Sequence, residues 1–425
     1  MLDIKLIREN PELVVKGITN KKEPSRVEEI LKLDEERRKL VFETDELKAK
    51  RNAGSQQIGQ IKKSGGDAAA LMAEIKEIGD KISGNDARLR ELDEELNGIL
   101  MYIPNLPHES VPVGSSAEEN VEVRRWLPEG FSFEKTNETL DHTSLGKKLN
   151  ILDFERGTKL SGSGFPLYKG KGATLERALI NYMLDFHLQK HGYTEIFPPF
   201  LVNRESMKGT GQIPKMEDDM YAIEKDGLYP IPTAEVPLTN IYRDETLQEK
   251  ELPIKFVGYS ACFRREAGSY GKDSKGFLRV HQFNKVEMVK FVKPETSYDE
   301  LEKLVNDAED ILKELQIPYR VLMLCTGDLS FSAAKCYDIE AWSPAEQKWL
   351  EISSCSNFEN FQARRANIKY KREDNKKSDF VHTLNGSGLA TSRLMVSLLE
   401  TNQTPEGKII VPKALQKYTG FAVIE

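Results

Sequence analysis

Two runs of apolar residues at coiled-coil spacing, separated by a Gly-Gly break, constrain the fold of this sequence most strongly. The first run repeats every seven residues, at Leu33, Leu40, Leu47, Gly54 and Ile61. The second alternates steps of four and three from Leu71 to Ile103, with one polar interruption at Asn85. This spacing is typical of the a and d positions of a coiled coil. Because only the short segment 62–67 joins the runs, the helices must pair antiparallel. We predict a helical hairpin about 50 Å long.

Composition and charge narrow the class of protein. The chain has 425 residues and a net charge of -7, so any contact with RNA must come from a local basic surface. No apolar run has membrane-spanning length and the first residues lack a signal-peptide core, so we expect a cytoplasmic protein without a membrane partner. The four cysteines are far apart and form no CxxC pair, which favours reduced thiols, and three of them lie in strand-like runs that favour a place in the core.

Prolines predict the domain boundary. Pro104 and Pro107 follow the second apolar run and stop its helix. We therefore predict a coiled-coil domain over 1–103, a linker over 104–117 and a second domain over 118–425.

A second pattern predicts a β-hairpin in the larger domain. β-branched and aromatic residues fill 254–263 and 277–292, and a polar, glycine-rich loop lies between them. Alternation along the strands would place Arg264 and Glu266 on one face, and Arg279, Phe283 and Glu287 on one face of the return. Arginine forks suit phosphate and carboxylate, and an aromatic ring can stack on a base. The alternative is a solvated strand face with surface salt bridges.

The sequence CFRRE, the loop and LRVHQFNKVEM resemble the second signature motif of class II aminoacyl-tRNA synthetases, and in detail the bacterial seryl-tRNA synthetases. The similarity extends over the whole chain. It implies an α+β fold, with a long antiparallel coiled-coil hairpin before a class II core. That core is an antiparallel sheet flanked by helices. It also implies a homodimer, formed by the segment around Pro198 and Pro199, which resembles the first class II motif.

The resemblance also implies roles for individual residues. Arg264 and Arg393 would be catalytic, holding the α- and γ-phosphates of ATP. The serine-binding residues would be Thr233, Ala234, Glu235, Arg264, Glu287 and Ser387. The ATP-binding residues would be Arg264, Arg265, Glu266, Arg279, Val280, Phe283, Glu351, Ile352, Ser353, Ser354 and Arg393. Glu351 and Ser354 would bind Mg²⁺, for which carboxylate and hydroxyl oxygens are suitable ligands. Arg393 follows a glycine-rich segment, 385–390, that we interpret as a turn entering a helix.

The implied reaction is the activation of serine by ATP and its transfer to tRNA(Ser), and to tRNA(Sec) as in bacterial relatives. The hairpin would grip the long variable arm of the tRNA, although an isolated heptad hairpin is also compatible with a structural or dimerising coiled coil. Two rival functions are a synthetase-like enzyme that loads a carrier protein, and a non-catalytic interaction protein. The first lacks such a hairpin, and the second does not need the site residues that are present.

The histidines give weaker signals. His142 lies in a polar stretch and is predicted at the surface. His187 and His191 have the i, i+4 spacing of metal ligands, but no third ligand is nearby in the sequence, so we predict no metal there. Residues 272–276, KDSKG, are faintly similar to the class I KMSKS loop, but no dinucleotide-binding fold precedes them.

Overall fold

The computed structural model describes residues 1–134, 139–267 and 275–425. Most of the predicted hairpin loop, and with it part of the KDSKG segment, lies outside the described residues. Within them, no helix combines the length and the apolar character needed to cross a membrane.

The described residues form helices and strands along the whole chain. The α-helices are α1 (Ile4–Glu9), α2 (Pro11–Asn20), α3 (Val27–Lys63), α4 (Ala69–Leu100), α5 (His142–Lys148), α6 (Phe154–Ser161), α7 (Lys171–His191), α8 (Arg204–Thr210), α9 (Glu235–Thr239), α10 (Ser297–Glu314), α11 (Phe361–Ala366), α12 (Thr391–Thr401) and α13 (Lys413–Thr419). The strands are β1 (Val121–Trp126), β2 (Thr194–Glu195), β3 (Leu201–Asn203), β4 (Leu228–Pro230), β5 (Thr246–Gln248), β6 (Ile254–Phe263), β7 (Gln282–Val292), β8 (Tyr319–Met323), β9 (Lys335–Ser343), β10 (Lys348–Asn357), β11 (Lys369–Lys371), β12 (Ser378–Phe380), β13 (His382–Ala390), β14 (Ile409–Ile410) and β15 (Val423–Ile424). Single 3-10 turns lie at Ala117–Glu119, Glu217–Asp219, Asn240–Tyr242, Glu249–Glu251 and Pro294–Thr296.

The chain divides into two compact units, one of residues 1–19 and 23–104, the other of 20–22 and 105–425. In the first unit, α3 and α4 form the predicted antiparallel hairpin, which is confirmed. Ion pairs cross it from Arg37 to Asp93 at 2.5 Å and from Lys48 to Asp86 at 3.2 Å. The polar interruption at Asn85 is paired, because its amide donates to the hydroxyl of Thr44 at 3.1 Å.

The second unit is built on one eight-stranded sheet in the order β1-β8-β9-β10-β13-β7-β6-β2. Every neighbouring pair is antiparallel except the edge pair β2 and β6. Apolar residues of α7, α10 and α12 pack with the sheet in one large core. The predicted antiparallel sheet flanked by helices is therefore confirmed.

The β-hairpin is shorter than the sequence pattern predicts. β6 ends at Phe263 and β7 begins at Gln282, so Arg264, Glu266 and Arg279 lie outside the strands. Glu266 has a φ of 50° and breaks the extended backbone. The predicted strand positions of these three residues were wrong, because the residues lie in the turns between the ends of β6 and β7.

Two further local predictions were wrong. The glycine-rich segment before Arg393 is not a turn, because 385–390 lies within β13. Its glycines serve close packing: a Cβ on Gly388 would lie 2.4 Å from the Nε2 atom of His187. His142 is not at the surface either, but is completely buried. The four cysteines are free thiols and all four are buried, one more than the strand-like runs predict.

Candidate active site

The sheet carries a cavity of about 660 Å³ between the turns after β6, the strands β7, β10 and β13, and the start of α12. Most of the residues singled out in the sequence line it, although they are spread over 160 positions of the chain. They are Thr233, Glu235, Arg264, Glu266, Arg279, Val280, Phe283, Glu287, Glu351, Ile352, Ser353, Ser354, Ser387 and Arg393.

Ala234 and Arg265 are not among the lining residues. Ala234 is completely buried in an apolar cluster behind the cavity. The guanidinium of Arg265 donates to the carbonyl of Asp218 at 3.0 Å. These two residues therefore stabilise segments beside the cavity.

One end of the cavity is a compact polar cluster. β7 and β13 pair with Ser387 directly opposite Glu287. The buried Glu287 carboxylate accepts a hydrogen bond from the Asn385 amide at 2.9 Å and forms an ion pair with Lys285 at 2.6 Å. Lys285 also donates to the Thr233 hydroxyl at 2.8 Å. The cluster thus presents acceptors and donors for a small polar ligand.

Lys285 is a further residue of this cluster that was not predicted, although its position in the sequence carries a signal. Strand side chains on one face recur every two residues, so Lys285 shares the face of Phe283 and Glu287. The Lys285 ammonium contacts both the Glu287 carboxylate and the Thr233 hydroxyl, and so connects the two groups.

Glu235 is the second buried carboxylate at this end. Gln362 of α11 donates to it at 2.6 Å, and the Gln362 oxygen accepts from Thr383 at 2.8 Å. Burial, and then repulsion by Glu287, raise the pKa of Glu235 to about 7. This carboxyl therefore changes its charge near neutral pH, and a cationic ligand would stabilise its ionised form.

The other end of the cavity combines cations with an aromatic ring. The Arg264 guanidinium lies 5.1 Å from the centre of the Phe283 ring. Arg279 forms an ion pair with Glu266 at 2.5 Å. Stacked rings and arginine forks are suited to a base and its phosphates.

Arg393 is held at the mouth of this end. Its Nε donates to the Leu278 carbonyl at 3.1 Å, and its Nη1 donates to the Glu351 carbonyl at 3.0 Å. Nη1 is also 3.3 Å from the Glu351 carboxylate. The guanidinium is therefore fixed by two backbone oxygens.

A bulge in β10 brings Glu351 and Ser354 to the same cavity. Side chains three positions apart would face opposite sides of a regular strand, but the register with β9 shifts between Glu351 and Ser353. Beside them lies the Asp338 carboxyl, whose pKa is raised well above its usual range by burial and then by Glu351. Burial and the nearby Glu351 charge therefore favour the protonated form of the Asp338 carboxyl.

His187 and His191 bind each other and their surroundings. Their Nδ1 atoms are 3.0 Å apart, and His187 Nε2 donates to the Gly388 carbonyl at 3.1 Å. Burial lowers the pKa of His187 to about 3. In the part of the chain that the structure describes, no group of three or more His, Cys, Asp or Glu side chains could hold a metal ion.

Comparisons with known proteins show which family the chain is similar to. The family described as the seryl-tRNA synthetase N-terminal domain matches residues 1–107, and the tRNA synthetase class II core domain (G, H, P, S and T) matches residues 217–402. A protein of Chloroherpeton thalassium named serine–tRNA ligase is 61% identical over 430 aligned residues, covering 100% of both chains. A protein of the same name from Chlorobium phaeovibrioides is 59% identical, covering 100% of this chain and 99% of the relative.

The chain belongs to the seryl-tRNA synthetases. It is thus a class II aminoacyl-tRNA synthetase, a ligase, as the sequence motifs predicted.

Solved seryl-tRNA synthetases share its fold over the full length. The enzyme of Pyrococcus horikoshii, solved with ATP, is 41% identical and superposes with a TM-score of 0.92, covering 100% of this chain and 99% of that one. The cytoplasmic serine–tRNA ligase of Naegleria fowleri, solved with AMP, is 30% identical and superposes with a TM-score of 0.87, covering 100% of this chain and 99% of that one.

Proposed function

We propose that this seryl-tRNA synthetase activates serine with ATP and then transfers it to the 3′ end of tRNA(Ser). The observation that carries the proposal is the two-ended cavity. Buried carboxylates and hydroxyls lie at one end, and arginines with a stackable ring lie at the other. In the first step the serine carboxylate would attack the α-phosphate and release pyrophosphate. In the second, a hydroxyl of the terminal adenosine would attack the carbonyl carbon of the seryl-adenylate, form the ester and release AMP.

Serine would occupy the polar end. Its ammonium would bind Glu235 and the Thr233 hydroxyl, and its own hydroxyl would bind Glu287 and Ser387. A site built to bond a hydroxyl leaves its polar groups unpaired when alanine binds, which can reject alanine by about 10⁴-fold. The cluster therefore supports selection for serine.

ATP would occupy the other end. Phe283 would stack on adenine, and Arg264 would contact the α-phosphate together with the serine carboxylate. Arg393 would bind the γ-phosphate, while Arg279, Val280 and Ile352 would complete the walls. Transfer of this kind needs positioning and charge neutralisation, which these side chains supply, rather than a protein nucleophile.

The donor set at Glu351 and Ser354 fits a magnesium ion that is bound mainly by the nucleotide. Mg²⁺ in nucleotide sites commonly uses one or two carboxylates together with phosphates and water. Glu351 would be the anionic ligand and Ser354 a hydroxyl neighbour. When bound, the ion would offset the negative charge of the phosphates.

The arm of α3 and α4 would bind the tRNA. In this division of labour residues 1–103 recognise RNA, 104–117 connect, and 118–425 catalyse. Structured RNA is recognised by shape and by backbone contacts, to which a long rigid hairpin is suited. We extend the proposal to tRNA(Sec) by analogy with bacterial relatives. Buried free thiols fit a cytoplasmic location.

The enzyme would act as a homodimer. β2 is an edge strand of the sheet, and Phe197 beside it is 76% exposed. Edge strands and exposed aromatic rings are sites where a second copy can add. Phe197→Asp should therefore lower the mass measured by sedimentation, and an unchanged dimer would contradict this part.

ATP–pyrophosphate exchange against all twenty amino acids, without tRNA, tests the adenylate chemistry. Exchange with serine alone is the expected result, and exchange with alanine or threonine at similar rates would contradict the pocket assignment.

Deleting residues 36–98 tests the role of the arm in binding tRNA. ATP–pyrophosphate exchange should persist in this variant, while charging of tRNA should be lost. Charging near the normal rate in that variant would assign RNA binding elsewhere.

A further inference from the structure

His142 is completely buried, and its two ring nitrogens have different partners. The backbone amide of Phe277 donates to Nε2 at 3.1 Å. An amide nitrogen can only donate, so Nε2 carries the lone pair and the proton is on Nδ1. Nδ1 then donates to the Glu400 carboxylate at 3.1 Å, where both side chains are 0% exposed. The ring therefore has a single tautomer and two fixed bonds.

Glu400 is itself held in place. It lies near the end of α12, and its carboxylate also accepts from the His142 backbone amide at 3.0 Å, the Ser343 hydroxyl at 2.5 Å and the Ala345 amide at 3.1 Å. Four donors satisfy the acceptor-only carboxylate. The imidazole is thus attached to a rigid part of the same helix that carries Arg393.

On its other side the ring holds the segment that leads into β7. Gly276 has a φ of 60°, and a Cβ there would lie 2.1 Å from His142 Nε2, so the backbone touches the ring. Two residues later the Leu278 carbonyl accepts from Arg393 Nε at 3.1 Å. Residues 276–278 are therefore held between the imidazole and the guanidinium.

We propose that His142, supported by Glu400, is a positioning residue for Arg393. It fixes the Phe277 amide, and through the adjoining Leu278 carbonyl it sets where the guanidinium points. The inference rests on the proposed function, in which Arg393 binds the γ-phosphate of ATP.

Two substitutions separate the two bonds of the ring. In His142→Gln the amide oxygen reaches close to the position of Nε2, so it keeps an acceptor for Phe277 and loses the bond to Glu400. In His142→Asn the amide nitrogen replaces Nδ1, so it keeps the Glu400 bond and leaves the Phe277 amide unpaired. Each variant loses one buried bond, which makes them matched controls for stability.

The readout is the affinity for ATP compared with AMP, which has no γ-phosphate. An unpaired buried amide moves the Leu278 carbonyl, so we expect His142→Asn to weaken ATP binding about tenfold relative to His142→Gln. The affinity of this variant for AMP should change by no more than about twofold, which corresponds to less than about 0.5 kcal/mol. Equal losses for ATP and AMP, or equal behaviour of the two variants, would overturn the proposal.

Two further measurements complete the test. Arg393→Ala should lose affinity for ATP but not for AMP. If the affinity of Arg393→Ala for ATP is unchanged, the γ-phosphate assignment fails. If Arg393→Ala loses affinity for ATP but His142→Asn does not, only the role of His142 is rejected.

Amide hydrogen exchange of the wild-type enzyme requires no variant to fold. The Phe277 amide should be protected without ligand, and free exchange at this amide would refute its bond to the imidazole.

Discussion

The Lys285 ammonium lies 2.6 Å from the Glu287 carboxylate, and their side chains are only 7% and 0% exposed. Both line the polar end of the candidate active-site cavity, which Glu235 also lines. One lysine therefore offsets the charge of two buried carboxylates. Without it, the ionised acceptor proposed for the serine hydroxyl would be an uncompensated buried charge.

Lys285→Met should reduce kcat/KM for serine by at least about a hundredfold, since breaking a buried ion pair costs several kcal/mol. KM for ATP should change little, because Lys285 lies at the end of the cavity that is proposed to bind serine. ATP–pyrophosphate exchange with each substrate varied in turn measures both constants.

Lys290→Met is a matched control for that substitution. Lys290 is on the same strand, is equally buried and pairs with Glu300 at 3.1 Å, but it does not line the cavity. It should lower the melting temperature without raising KM for serine. Equal effects of the two substitutions on KM for serine would show that Lys285 acts only through stability.

Serine binding should depend on pH through Glu235. Burial and then Glu287 raise its pKa to about 7, so the carboxyl is protonated below that pH and cannot bind an ammonium ion. KM for serine should therefore rise about tenfold for each pH unit below the pKa. The stability of the fold should change with pH in the opposite direction to serine binding. Because the pKa of Glu235 is raised in the folded state, its contribution to stability is present below the unfolded pKa of 4.5 and is lost as the pH rises through 7.

The measurement is the KM for serine and the KM for ATP, each determined between pH 6 and 8. Gln362→Met removes the donor that lowers the pKa of Glu235, so the midpoint should move to higher pH. A KM for serine that does not change with pH would mean that Glu235 stays ionised throughout.

The sequence was sufficient for features that depend on local spacing. The α3–α4 hairpin follows from heptads, because each a and d position meets its partner across one short turn. β6 and β7 likewise follow from runs of β-branched and aromatic residues. The cavity is different: Glu351 and Ser354 share it because of a bulge in β10, which no regular period predicts.

His142 shows why the remaining features were not predictable. Its sequence neighbours are polar, yet its burial is decided by Glu400, 258 residues later in the chain. The glycines of β13 pose the same difficulty, since in sequence they resemble a turn that enters a helix. Only the packed structure reveals that a side chain from α7 occupies the space beside them.

Gly388→Ala should destabilise the second unit by about 1–3 kcal/mol, the usual cost of overpacking. The new Cβ would lie 2.4 Å from His187 Nε2, whose ring is fixed by its bond to the Gly388 carbonyl. Urea unfolding of the purified variants gives the free energies. Gly59→Ala is the control, because nothing lies within 4 Å of its added Cβ and α3 should gain up to about 1 kcal/mol in propensity.

Glu351→Gln should raise the Mg²⁺ concentration needed for half-maximal ATP–pyrophosphate exchange by about tenfold, the effect of losing roughly 1.4 kcal/mol of metal affinity. The amide still fills the space of the carboxylate, but it offers a neutral oxygen to a hard cation. Glu340→Gln is the control, because Glu340 is directly opposite on β9 and its carboxylate is bound to Arg320 at 2.6 Å, away from the cavity lining. It removes the same charge nearby and should leave the Mg²⁺ requirement unchanged. If both variants shift the requirement equally, Glu351 contributes only to the local potential; if neither does, the nucleotide and water bind the ion without this carboxylate.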